Sequence, residues 1–196
     1  MSYTVDFDTG SSDLFVPSTS CGQTCSGHTQ YNSSASLTSQ DLKYTFTLTY
    51  ADGSTVNGKE YTDVVTVAGL TVREAVLPFH FPTKHPHILP QADSQTLGAA
   101  TQYSIGFTSA YFPPDGLMGM AFESISVYDA SPTFQSLIDQ GQVDSPMFGV
   151  KLATSGSELF LGGVNPKYNK DTDFTWVTLP SEVCHITSSV VRESCV

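Results

Sequence analysis

Residues 3–7 alternate polar and apolar side chains, the two-residue period of a strand with one buried face. The same period runs over residues 42–50, which sets Leu42, Tyr44, Phe46, Leu48 and Tyr50 on one face. Ala51-Asp52-Gly53-Ser54 follows, and Asp-Gly after an alternating run predicts a hairpin turn. The return strand is expected at Val56 and over residues 61–67, closed by an Ala68-Gly69 turn. Residues 157–161 and 174–179 read as further strands. One helix is predicted over residues 132–140, with Gly141 as its C-terminal cap. Long helical periodicity is absent. The pattern predicts an all-β fold with short helices and excludes a helical bundle.

One stretch breaks the pattern. Over residues 73–93, Pro78, Pro82, Pro86 and Pro90 recur every four residues beside His80, His85 and His87. Proline at that density prevents helix and interior strand, so a long exposed loop is expected. His85-Pro86-His87 has no Cys or carboxylate in ligand spacing, and no metal is assigned to it.

Composition narrows the partners. The 196 residues allow one domain and hardly two. Eight Lys+Arg stand against 19 Asp+Glu, a formal net charge of −11, which argues against nucleic acid and anionic membranes as partners. No stretch approaches the roughly 18 apolar residues of a membrane span. So few bases would limit self-repulsion in acid, although an ordinary acidic exported surface has the same composition.

The chemistry concentrates in Phe7-Asp8-Thr9-Gly10-Ser11-Ser12. A carboxylate ends an apolar strand, Gly10 permits a tight turn, and Thr9 and Ser11 bring hydroxyls that can bond the carboxylate. A bare Asp-Thr-Gly is equally a strand ending in an Asx turn. The longer string from Val5 through Asp8-Thr9-Gly10-Ser11-Ser12-Asp13-Leu14-Phe15-Val16-Pro17 is far more specific, and it resembles the pepsin-like aspartic endopeptidases, particularly fungal secreted ones. Four more segments extend the resemblance in order. Residues 21–32, with a short Cys pair, resemble the disulfide loop after the first active-site strand. Thr49-Tyr50-Ala51-Asp52-Gly53-Ser54 resembles the flap hairpin, residues 114–122 the segment beneath the catalytic loop, and residues 159–165 the strand and turn near the end of the first lobe.

The resemblance implies the N-terminal lobe of a bilobal β enzyme, built of orthogonally packed sheets. The enzyme cleaves proteins in acid with a water activated between two Asp carboxylates. Carboxyl groups that close cannot both ionise, so one serves as acid and the other as base. It assigns catalysis to Asp8, the active-site loop to Thr9, Gly10 and Ser11, and the substrate-covering flap to Tyr50, Asp52 and Gly53. It implies protein or peptide substrates, no cofactor, no metal and export from the cell. Departures accompany it. Asp-Thr-Gly occurs once, so the second lobe is expected to be absent, as are the early strands. No charged and apolar leader precedes residue 3, so the front is expected to be missing or the chain cytosolic. Phe15 stands where the family usually has Trp, removing an indole N–H that could hold the flap tyrosine. The lobe is expected over 1–180, with 73–93 as an insertion and 181–196 as an unrelated tail, both of the kind that translated introns would leave.

Through the resemblance, Cys21 and Cys25 are expected to pair as a disulfide. A Cys21/Cys25/His28 metal site is the rival. Asn32-Ser33-Ser34 is a glycosylation sequon, consistent with export. Two alternatives to a lone half-enzyme stay open: a non-catalytic peptide binder, and a homodimer in which each copy supplies an Asp8. Oligomerisation is not the expectation, since the dimer would have to close without its terminal strands.

Overall fold

The computed structural model describes residues 1–72, 94–168, 185–187 and 192–194. The expected insertion at 73–93, the strand at 174–179 and most of the 181–196 tail lie outside these residues. Strands dominate in chain order: β1 (Val5–Asp8), β2 (Leu14–Pro17), β3 (Gln40–Thr49), β4 (Thr55–Asp63), β5 (Val65–Val67), β6 (Leu70–Val72), β7 (Gln95–Tyr103) and β8 (Gly116–Gly119). They are followed by helix α1 (Thr133–Asp139), β9 (Phe148–Lys151), β10 (Glu158–Leu161), β11 (His185–Thr187) and β12 (Arg192–Ser194). Six strands form one mixed sheet in the order β1-β8-β2-β7-β4-β3, and the rest pair as hairpins: β5 with β6, β9 with β10, β11 with β12. The chain is an all-β lobe with short helices. Among the described residues no helix is long and apolar enough to cross a membrane.

Strand β2 explains the layering. All four of its residues are buried. Successive side chains of a strand point to opposite faces, so Phe15 joins Phe46, Leu48, Val56, Tyr103, Phe107 and Leu117 on one side. Leu14 and Val16 join Leu97, Ala99, Met118, Phe134 and Leu137 on the other. Both faces of the sheet centre are therefore covered, and β2 carries the segment that follows β1 into the middle of the core.

The β3–β4 hairpin forms with Thr49 opposite Thr55. The expected apolar face of β3 is only half right. Its register shifts between Asp41 and Thr45, where Lys43 adopts φ 66°. Tyr44 falls in the unpaired stretch and is 67% exposed, while Phe46 and Leu48, in the regular pairing beyond it, are buried. The return strand is continuous over β4, longer than its sequence pattern suggested. Helix α1 buries Phe134 and Leu137. It stops as expected: Gly141 takes φ 62°, donating to the Ile138 carbonyl, while Gln142 N–H reaches the Leu137 carbonyl, both at 2.9 Å.

Cys21 and Cys25 are joined by a disulfide. That consumes both thiols, and His28 Nε2 lies 3.0 Å from the Phe107 carbonyl, so the rival metal site is overturned. With a sequence separation of four, closing this loop removes little unfolded-state entropy, about 2 kcal/mol on the chain-entropy relation. Replacing both cysteines by serine is expected to cost no more than that, as read from urea denaturation midpoints. A loss twice as large would mean that the bond organises the surrounding core as well.

Candidate active site

The end of β1 and the segment after it form the site. β1 pairs in parallel with β8, placing Asp8 opposite Gly119. The chain then turns through Thr9 and Gly10 and enters β2. Both carboxylate oxygens of Asp8 are engaged: Gly10 N–H donates to Oδ1 at 2.8 Å and the Ser11 hydroxyl to Oδ2 at 2.6 Å. Two bonds from two directions fix the plane of the carboxylate. Asp8 and Ser11 are both partly exposed, so the group is presented at a surface.

Three backbone bonds hold the loop from beneath. Met120 N–H donates to the Asp8 carbonyl (2.8 Å), Ala121 N–H to that of Ser11 (2.9 Å) and Gly119 N–H to that of Asp13 (3.0 Å). The segments can approach this closely only without side chains. A Cβ on Gly119 would lie 2.4–2.5 Å from backbone atoms of Ser11, Ser12 and Asp13, and one on Gly116 would lie 2.0 Å from the Phe15 carbonyl oxygen. The segment at 114–122 thus packs against the Asp8 loop as the sequence resemblance implied.

Sequence reasoning missed the next layer, which Ser12 and Asp13 build. Ser12, 2% exposed, donates its hydroxyl to the Phe122 carbonyl. Asp13, 4% exposed, accepts from the Ser126 hydroxyl at 2.7 Å, Val127 N–H at 2.9 Å and, longer, Tyr128 N–H at 3.4 Å. These bonds anchor residues 122–128 to the loop. Burial pushes the Asp13 carboxyl above the usual carboxylate range, a shift that its three donors only partly offset. Asp and Ser after a Gly are common in surface turns, so nothing in the sequence marked these two as buried anchors.

Tyr50 sits beside the carboxylate. Its ring packs against Phe107 (centroids 5.1 Å) and Phe15 (6.4 Å). Its hydroxyl is buried and, among the described residues, finds no hydrogen-bond partner. Burial raises the phenol's pKa, the Asp8 charge raises it further, and the neighbouring Ser11 hydroxyl pulls slightly the other way. Ser11 therefore stands between Asp8, which it bonds, and Tyr50, which it adjoins. Phe15 in place of an indole leaves that phenol without a donor from β2.

Asp52 and Gly53 form the exposed hairpin tip. Asp52 accepts from the backbone and hydroxyl of Ser54, both at 2.8 Å, which lowers its pKa. Gly53 takes φ 82° and donates to the Tyr50 carbonyl at 2.9 Å. The tip leans on the short turn Ile105–Phe107, so close that a Cβ on Gly106 would lie 2.1 Å from Ser54 Oγ. Cys21 and Cys25 are buried in the core cluster that contains Phe15 and Phe107. Among the described residues no group of three or more His, Cys, Asp or Glu side chains is placed to hold a metal.

Comparison with known proteins agrees with this geometry. The family model of eukaryotic aspartyl proteases matches residues 1–86 and 90–191, running through most of 73–93. An aspartic protease of Phaffia rhodozyma is 41% identical over 167 residues, covering 84% of this chain and 35% of that protein. Pepsin A of Suncus murinus is 33% identical over 184 residues (92% of this chain, 42% of the relative). Cathepsin D of Dictyostelium discoideum is 36% identical over 188 residues (92% and 43%). The chain thus spans about two-fifths of the length of these relatives. On that match, and on the parallel β1–β8 pair that carries the Asp8 loop, the chain belongs to the eukaryotic aspartyl proteases, the pepsin-like family.

Proposed function

We propose that this chain forms one half of an aspartic endopeptidase active site, with Asp8 as one of the two carboxyl groups that activate water against a peptide carbonyl. The observation that carries the reading is the Asp8 carboxylate, held at the surface by Gly10 N–H and Ser11 Oγ with Tyr50 alongside. Thr9, Gly10 and Ser11 shape its loop, and the Tyr50–Gly53 hairpin is the flap over the substrate, a protein or peptide lying between flap and carboxylate. The disulfide and the Asn32 sequon support an exported setting.

One carboxyl group can act as base toward the attacking water or as acid toward the oxyanion and leaving amine, but not as both in one step. General acid or base help contributes roughly 10²–10⁴-fold per group. The sequence holds one Asp-Thr-Gly, so the 196-residue chain by itself is expected to cleave denatured haemoglobin at pH ~3–5 no faster than buffer, and Asp8→Asn is expected to change nothing. The assay is run with and without a statine-type transition-state inhibitor. Cleavage abolished by both the inhibitor and Asp8→Asn would overturn the half-site reading, because the chain would then be assembling a second acid from its own residues or another copy. Cleavage indifferent to Asp8→Asn would remove Asp8 from the chemistry.

A further inference from the structure

We propose that Asn32 is an N-glycan acceptor, the sugar projecting from the end of β2 opposite the Asp8 loop. The inference rests on the exported setting of the chain. Among the described residues the amide nitrogen of Asn32 donates no hydrogen bond, and its carbonyl oxygen accepts from Ser34 N–H at 3.1 Å. That bond engages Oδ1 and does not use Nδ2. Asn32 is partly exposed and Ser34 exposed. Asn32 is also among the residues lining a surface cavity of about 730 Å³.

The anchorage of the segment determines where a sugar would stand. Tyr31 N–H donates to the Pro17 carbonyl at 2.6 Å, and Thr19 N–H to the Tyr31 carbonyl at 2.9 Å, which pins the sequon to the last residue of β2. The Asp8 loop joins the first residue of β2, so the strand's length separates glycan from carboxylate. On the far side, Ser36 and Thr38 hydroxyls bond Asp63, as does Tyr31, so the loop is held from both ends. A bulky polar group on Nδ2 displaces none of these bonds.

The transfer is a substitution at carbon. Nδ2 attacks the anomeric carbon of an oligosaccharide carried on a lipid diphosphate. The C–N bond forms as the C–O bond to the diphosphate breaks, the lipid diphosphate leaves with the electron pair, and one Nδ2 proton passes to a base of the transferase.

The test directs the chain into the secretory pathway of a yeast behind a cleavable leader. The wild-type protein is expected to show one discrete mobility shift on endoglycosidase digestion, and an Asn-to-Asp mass change at position 32 after amidase release. Asn32→Gln and Ser34→Ala are each expected to abolish the shift, whereas Ser34→Thr and Ser33→Ala retain it. Ser34→Ala keeps the backbone N–H that caps the turn, so its effect separates loss of the acceptor from misfolding. Asp8→Asn is expected to be glycosylated like wild type, which separates failure here from failure of the protease reading. A leader-processed chain carrying no sugar at Asn32 overturns the proposal, as does a shift that survives Ser34→Ala.

Discussion

Lowering the pH from 7 to about 4 is expected to raise the melting temperature of this chain, and lowering it further to reduce it again. Two buried carboxyls drive the first limb. Asp13 and Glu60 are 4% and 7% exposed. Burial raises both pKa values, and Glu60 is raised further by the charges of Asp13 and Asp129. No cation answers them: among the described residues the ion pair present is the exposed Lys43–Asp41. A carboxyl whose folded pKa is raised holds its proton more tightly in the fold, so its stabilisation is complete below the ordinary value near 4 and fades as pH rises through the folded one. Asp63 and Asp115 drive the second limb. Burial pushes each upward, but the donors together outweigh it and hold both below the usual range: Thr38, Tyr31, Ser36 and Val64 N–H around Asp63, and Thr29 and Thr4 around Asp115. For these groups stabilisation is present above the ordinary value and is lost as pH falls through the lowered one. All four contributions coexist near pH ~4, where the −11 charge of neutral pH has also largely been discharged. Calorimetric scans from pH ~2 to 8 check this. Glu60→Gln is expected to flatten the rise toward acid. Asp63→Asn, which leaves donors facing an amide, is expected to cost about 3 kcal/mol at neutral pH and to flatten the acid limb. A melting temperature that falls steadily from pH 7 downward would show that the buried pair is not what sets the profile.

Such a profile was legible in the sequence only in outline, through the excess of acidic residues. Which carboxylates are buried, and on what, depends on contacts far apart in the chain: Asp13 with Ser126, Asp115 with Thr4. The elements were readable where one face is wet. β1 and the Asp52-Gly53 hairpin follow from alternation and turn chemistry, and α1 from its cap. Strand β7, buried between β2 and β4, escaped because Gln95-Thr96-Leu97-Gly98-Ala99-Ala100 has small side chains where alternation would need large ones. Their smallness is structural. A Cβ on Gly98 would lie 2.2 Å from Tyr128 Oη and 2.6 Å from the Phe46 ring. The Asp8 loop was the most legible part of the site, because its residues are consecutive. The layer beneath it was seen only through family resemblance, and Ser12 and Asp13 not at all.

Gly119→Ala is expected to destabilise the chain by about 3 kcal/mol, the upper end of the range for overpacked sites. Its added methyl would meet Ser12 C at 2.4 Å and Asp13 N and Ser11 O at 2.5 Å, all backbone atoms with no rotamer to yield. Relief requires that β8 separate from the Asp8 loop. That motion stretches the bonds from Met120 N–H to Asp8 and from Ala121 N–H to Ser11, now 2.8 and 2.9 Å. It also shifts Ser11, and with it the hydroxyl that fixes the Asp8 carboxylate. For a chain of this size each kcal/mol lowers the melting temperature by about 2–4 °C, so a drop of roughly 6–12 °C is expected. Gly149→Ala is the matched control, because the atoms nearest its added Cβ lie at 3.4–3.6 Å, ordinary van der Waals contact, and the residue sits in strand β9 without a positive φ; it should stay within about 0.5 kcal/mol of wild type. A Gly119→Ala melting temperature equal to that of the control would mean that the loop is free to move away from β8 without loss. The Asp8 carboxylate would then owe its position to Gly10 and Ser11 alone rather than to the sheet beneath them.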